Sequence, residues 1–138
     1  MRILLIIFLL VSFKSLGQSF DLINPEKNVG LKNWNIVNDD VMGGISKSYL
    51  SLSDENNLVF IGYLSLENNG GFASSRLRFT KETLTGVKSF KIKFRGDGNI
   101  YKLRLNQNNR RASYSFDFKS FKDKWVEMDI NIEDFKPF

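Results

Sequence analysis

A chain of 138 residues with a formal charge of +5 sets the scale of a single domain, and the absence of cysteine and histidine removes whole classes of chemistry. Disulfides, thiolate nucleophiles, a lipid-modified cysteine, serine–histidine and cysteine–histidine catalysis and the usual zinc sites are all excluded. Chemistry would fall to carboxylates, lysine, tyrosine or an oxygen-liganded cation, and neither a cofactor nor a metal is expected.

Met1–Arg2 supplies positive charge, Ile3 to Val11 is unbroken apolar sequence, and Ser12 to Gly17 turns small and polar. Basic start, short apolar stretch and small residues at Ser15 and Gly17 predict a signal peptide over residues 1–17, cleaved before Gln18. The run is short for a bilayer, so no transmembrane segment is expected after processing, and the remaining chain is expected to be periplasmic or secreted. The same run would also suit a buried terminal strand or helix. Removal of the leader takes Arg2 and Lys14 with it and makes the balance less basic. The other basic residues are spread along alternating segments, which predicts solvated strand faces and no nucleic-acid partner.

Gln18–Lys32 reads as a polar lead-in capping a sandwich edge. Leu58, Phe60, Leu64 and Leu66 alternate with Val59, Ile61 and Tyr63, the period-2 signature of a strand. Asn68–Asn69–Gly70–Gly71 breaks it, and Phe72–Phe79 resumes the alternation. Lys81–Val87 has room for one short turn. Phe90, Ile92 and Phe94 then alternate with Lys91, Lys93 and Arg95, as in a strand with one dry and one wet face. Gly96–Asp97–Gly98–Asn99 signals a turn, and Tyr101, Leu103 and Leu105 follow in alternation. After the polar run Asn106–Arg111, Tyr114, Phe116 and Phe118 make an aromatic stripe, and Val126, Met128 and Ile130 share a face. No segment carries a helical repeat. Many short strands at near-regular spacing predict an all-β sandwich, with a jelly roll favoured among the sandwiches.

Three turn-rich clusters stand out: Trp34 through Ser46 (WNIVNDDVMGGIS), Glu67 through Arg76 (ENNGGFASSR) and Phe94 through Tyr101 (FRGDGNIY). Together with Trp125–Val126 and Asp134–Phe135–Lys136–Pro137, and in this order, they resemble the complex I intermediate-associated protein family, the thirty-kilodalton type, from about Trp34 to the end. That resemblance implies a galactose-binding-like jelly-roll domain over residues 18–138. The mitochondrial members it evokes are assembly chaperones of respiratory complex I. It also implies further strands beyond Phe138, so that the last strands of the sandwich are expected to be missing here. Mitochondrial members act on the matrix side, whereas a leader directs this chain to the opposite side of a membrane.

The candidate ligand- or partner-binding residues are those of the clusters: Trp34, Asn38, Asp39, Asp40, Met42, Glu67, Asn68, Asn69, Phe72, Arg76, Arg95, Asp97 and Tyr101. Asp39 and Asp40 suit a hard cation or ligand hydroxyls, but adjacent strand residues face opposite ways, and Asn38 with Asp39 equally suits a turn leading into Gly43–Gly44. Glu67, Asn68, Asn69 and Arg76 suit a polar ligand such as a sugar, with Trp34 or Phe72 as a flat platform. The structural alternative is a tight bend with Arg76 paired to an acid. Arg95–Gly96–Asp97 has the letters of an adhesion tripeptide, in a context that reads as a turn. No pair of acids has the arrangement of a glycosidase. The expected function is a non-catalytic binding or assembly domain acting on a protein partner. The alternative is an exported carbohydrate-binding module of the same architecture.

Overall fold

The computed structural model describes residues 2–12, 19–78, 84–106 and 113–138, the first of these segments as backbone only. Its strands are β1 (Arg2–Ser12), β2 (Ser19–Asp21), β3 (Trp34–Asn38), β4 (Lys47–Leu52), β5 (Leu58–Tyr63), β6 (Ala73–Leu77), β7 (Ser89–Gly96), β8 (Ile100–Asn106), β9 (Ser113–Lys119), β10 (Trp125–Asn131) and β11 (Lys136–Pro137). Helical structure among the described residues is confined to single 3-10 turns at Asp39–Met42, Glu67–Asn69 and Ile132–Asp134. The strand ladders are antiparallel. The protein is an all-β sandwich.

One layer is the sheet β10-β7-β1-β5-β4, with β2 added on β1. The other is divided into two sheets, β11-β9-β8 and β3-β6. β5 and β6 lie in opposite layers, as do β6 and β7, β7 and β8, and β9 and β10, which is the crossing pattern of a jelly roll. The layers meet through aromatic rings: Phe94 of β7 packs edge-on against Phe118 of β9 at 4.7 Å between centroids, and Phe90 meets Phe135 at 5.9 Å. Leu58, Phe60, Ile92 and Ile130 complete this core, and Trp34, Ile36, Ala73 and Leu77 bring β3-β6 against it.

The alternation read from the sequence gives these faces directly. Phe90, Ile92 and Phe94 are buried while Lys93 between them is exposed, and Val126, Met128 and Ile130 point inward from β10. Four expectations are corrected. β5 ends at Tyr63, so Leu64 and Leu66 do not continue its inner face, and Leu66 is 83 % exposed. Tyr114, at the end of its stripe, is 43 % exposed. The lead-in is more than a polar cap, since Ile23 is fully buried and Leu22 nearly so. It is held by Asp21, whose carboxylate takes Lys27 Nζ at 2.7 Å and Asn24 Nδ2 at 2.8 Å. Finally, Arg76 donates from Nε to Ser74 Oγ at 3.1 Å and forms no salt bridge with an acid among the described residues.

The apolar run at the start of the chain forms β1, which lies between β5 and β7. Arg2–Ile7 pair with Tyr63–Leu58, and Leu5–Ser12 pair with Gly96–Ser89. The expected cleavage point before Gln18, residues 81–83 of the expected short turn and most of the polar run after Asn106 lie outside the described residues. Leu84–Gly86 is a turn, closed by Val87 N–H donating to Leu84 C=O at 3.2 Å.

Candidate functional site

Because β5 and β7 are each antiparallel to β1, they run in the same direction and their C-terminal ends leave the same end of the sandwich. The second cluster follows β5, the third follows β7, and the first leads into β4 at that end. The fold thus gathers all three clusters at one end. The first and second are interlocked. The third sits two strand positions away across β1, roughly 10 Å by ordinary strand spacing.

Asp39 is the interlock. Its side chain is buried, and its backbone N–H donates to Phe72 C=O at 3.2 Å. Its carboxylate accepts from Ser46 N–H at 2.9 Å, the Ser46 hydroxyl at 2.5 Å, Gly71 N–H at 2.7 Å and, more weakly, Phe72 N–H at 3.4 Å. Removal from water pushes this carboxyl up. The hydrogen bonds, led by the Ser46 hydroxyl and then the Gly71 amide, outweigh that and hold it below its ordinary value. The close approach explains two glycines: a Cβ on Gly44 would collide with the Asp39 carboxyl, and one on Gly70 would stand 2.5 Å from Asp39 Oδ2 and 2.9 Å from Ser65 C=O. Asp39 therefore does not cap its own turn, as the sequence suggested; it ties two loops together. Ser46 extends the tie, because its Oγ also accepts from Ser65 N–H at 3.0 Å.

The other candidates divide by role. Asn38 accepts from Ser48 Oγ at 2.6 Å and forms no side-chain cap. Trp34 packs against the core, and its indole N–H has no hydrogen-bond partner among the described residues. Phe72 is half-buried at the loop base. Asp40, Glu67, Asn68 and Asn69 are exposed, and the two asparagines hold positive φ (55° and 59°), so they shape the bend. In the third cluster Asp97 accepts from Asn99 N–H at 3.0 Å, Asn99 Nδ2 at 2.7 Å and the Tyr101 hydroxyl at 2.9 Å. The Tyr101 ring stacks on Phe118, and Arg95 lies 5.5 Å from the Trp125 ring centre. Asp97 thus braces a turn and Arg95 a sheet face.

Beside the exposed polar residues Asp40, Glu67, Asn68 and Asn69, this end also projects apolar side chains. Val41 is 67 % exposed, Met42 74 % and Ile45 49 %, all from the loop that Asp39 anchors. Leu66 projects from the facing loop, and Ile45 and Leu66 are the chain neighbours of the hydrogen-bonded pair Ser46 and Ser65. Exposed apolar groups on braced loops suit a contact surface. Of these residues the sequence reading singled out only Met42. Ser120, fully buried, was also missed; it accepts from Gly98 N–H at 3.0 Å and donates to Asn99 C=O at 2.9 Å, holding the third cluster. A lone serine between strands gives no sequence signal for that role.

A cavity of about 500 Å³ is lined by Val87, Lys88, Asn131, Ile132 and Glu133, at the opposite end. A second, of about 280 Å³, is lined by Lys102, Ser115, Phe116, Asp117, Asp134 and Lys136. Neither is lined by a cluster residue, so the concave polar pocket that a sugar site at the clusters would require is not what these cavities provide. Among the described residues no helix is long and apolar enough to cross a membrane.

The family comparison matches residues 20–138 to Complex I intermediate-associated protein 30. The chain belongs to this family. The matched region begins after the apolar run and spans all three clusters. Neither the curated proteins nor the solved structures compared with the chain gave a match.

Proposed function

We propose that this member of the Complex I intermediate-associated protein 30 family is a non-catalytic assembly domain that grips a protein partner with the Asp39-braced end of its sandwich. The observation that carries the reading is the exposed set Val41, Met42, Ile45 and Leu66 on two loops tied by one buried carboxylate. Loops fixed in this way present apolar surface without the ordering cost that a mobile loop would incur on binding. Membership of a family named for an intermediate of complex I supports an assembly role. The basic, apolar and small-residue pattern of residues 1–17 supports export, and with it a partner in the cell envelope or outside it.

The test is a comparison of tagged parent, the double variant Met42→Asp, Leu66→Asp, and a distal control, Ile132→Asp. Surface substitutions of this kind leave stability within about 0.5 kcal/mol. The expected outcome is a partner recovered with the parent and the distal control and lost with the double variant, at unchanged melting temperature. Equal recovery with all three would sink the reading.

A further inference from the structure

The loop that joins β9 to β10 crosses from one layer of the sandwich to the other. Its backbone is pinned along its length: Ser120 N–H donates to Asn99 C=O at 2.9 Å, Asp123 N–H to Gly96 C=O at 3.1 Å and Lys124 N–H to Phe121 C=O at 3.2 Å. This fixed loop and the strand ends beside it hold apolar groups in water. Phe121 is 49 % exposed, and Trp125, where β10 begins, is 41 % exposed. Ile100, at 69 %, lies opposite Lys119 across the β8–β9 ladder, and Lys119 Nζ stands 6.0 Å from the Phe121 ring centre. Five cations surround these groups. Lys119, Lys122 and Lys124 are exposed, and the charges of Lys93 and Arg95 lie 5.6 Å and 5.5 Å from the Trp125 ring centre. None of the five forms a salt bridge with an acid among the described residues. Glu127 pairs instead with Lys91, and Asp97 is taken up by its own turn, which leaves Asp123 as the acid set within the loop. Groups from both layers and from the loop between them form a corner of the sandwich, and none of them lines either cavity.

We propose that this corner docks the protein on an anionic lipid bilayer, with Ile100, Phe121 and Trp125 entering the headgroup region and the five cations set against lipid phosphates. The occupant follows from the mixture of groups. Unpaired cations attract any polyanion, but a soluble polyanion would leave the rings and the aliphatic side chain in water. A bilayer answers both: its anionic surface meets the lysines and arginine, and an apolar phase lies just beneath for the side chains between them. Tryptophan suits that boundary, because its ring is apolar and its N–H is polar. The pinned loop presents these groups without an ordering cost on contact. The corner lies within the region matched to the family. The proposal goes beyond the partner reading and is independent of it, and the export reading places an envelope leaflet within reach.

The experiment floats the full chain with vesicles of phosphatidylcholine alone and of phosphatidylcholine mixed equally with phosphatidylglycerol. The expected result is recruitment by the mixed vesicles, weakened by salt, with a blue shift of tryptophan emission that Trp125→Phe removes while the core residue Trp34 stays in place. A basic side chain near such a surface is worth roughly fivefold in partitioning, so Lys122→Glu, Lys124→Glu should weaken binding by about 25-fold or more. The charge-matched pair Lys32→Glu, Lys47→Glu, exposed before β3 and on the far edge strand β4, should stay within about threefold of the parent, because screening confines the effect to nearby charges. Equal losses in the two pairs, equal binding to both vesicle types, or binding without the Trp125 shift would each overturn the proposal. So would capture of the parent by heparin, a soluble polyanion, with no recruitment by vesicles. The variants spare Met42 and Leu66, so the vesicle result and the partner test are read separately.

Discussion

Asp39 shows how one side chain organises a surface. A carboxylate with four hydrogen-bond donors and little water around it is worth more to the fold charged than protonated, and its lowered position below the ordinary value says so. A group depressed in the folded state contributes stability above its unfolded pKa and loses it as pH falls through the folded one. The loss should therefore begin near the ordinary carboxylate value, about 4, and continue below it. Urea unfolding across that range should show the parent weakening with acid, while Asp39→Asn starts less stable at neutral pH and declines less. Equal acid slopes for the two would show that another carboxylate sets the dependence. The Asp-Asp-x-x-Gly-Gly spacing made this residue visible in the sequence. Its partner Ser46 lay in the same cluster, but the Gly71 amide, 32 residues along the chain, depends on the β3–β6 pairing and could not be read locally.

At the level of the strand, period-2 reading succeeded where a strand has a dry face along its whole length and failed at ends. Phe94 and Tyr114 both sit on aromatic stripes. Phe94 is fully buried against Phe118, whereas Tyr114 lies where β9 meets the short β11 and is left half in water. Phe94→Ala should cost about 3–5 kcal/mol in urea unfolding. Tyr114→Ala should cost under about 1 kcal/mol. Similar losses would mean that the stripe is packed uniformly and the burial difference is wrong. Leu66 was misread for the same reason: the alternation Leu64, Leu66 runs past the end of β5, and periodicity carries no information about where a ladder stops. The unbroken run Ile3 to Val11 fits a leader and a central strand equally, because a continuous apolar segment has no period to tell them apart.

Among the described residues, many basic side chains lie along the strands. Lys91 pairs with Glu127 at 3.2 Å and Lys102 with Asp117 at 2.5 Å, Lys93 and Arg95 flank the Trp125 ring, and Lys102 and Arg104 flank Phe138. These groups solvate the outer surfaces, as the spread of charge along alternating strands suggested. The ends of the sandwich differ: one carries the interlocked clusters and their apolar tips, the other the cavity beside Ile132. That the clusters come from separate stretches of chain yet share an end follows from strand directions, which no local motif reveals. The most direct test of the partner face is photo-crosslinking in the source cell, with a photoreactive residue placed at Met42 in one version and at Ile132 in another. A discrete adduct with one protein from Met42 and none from Ile132 is the expected result. Adducts from Ile132 alone, or the same adducts from both ends, would contradict a partner face built on the Asp39 interlock.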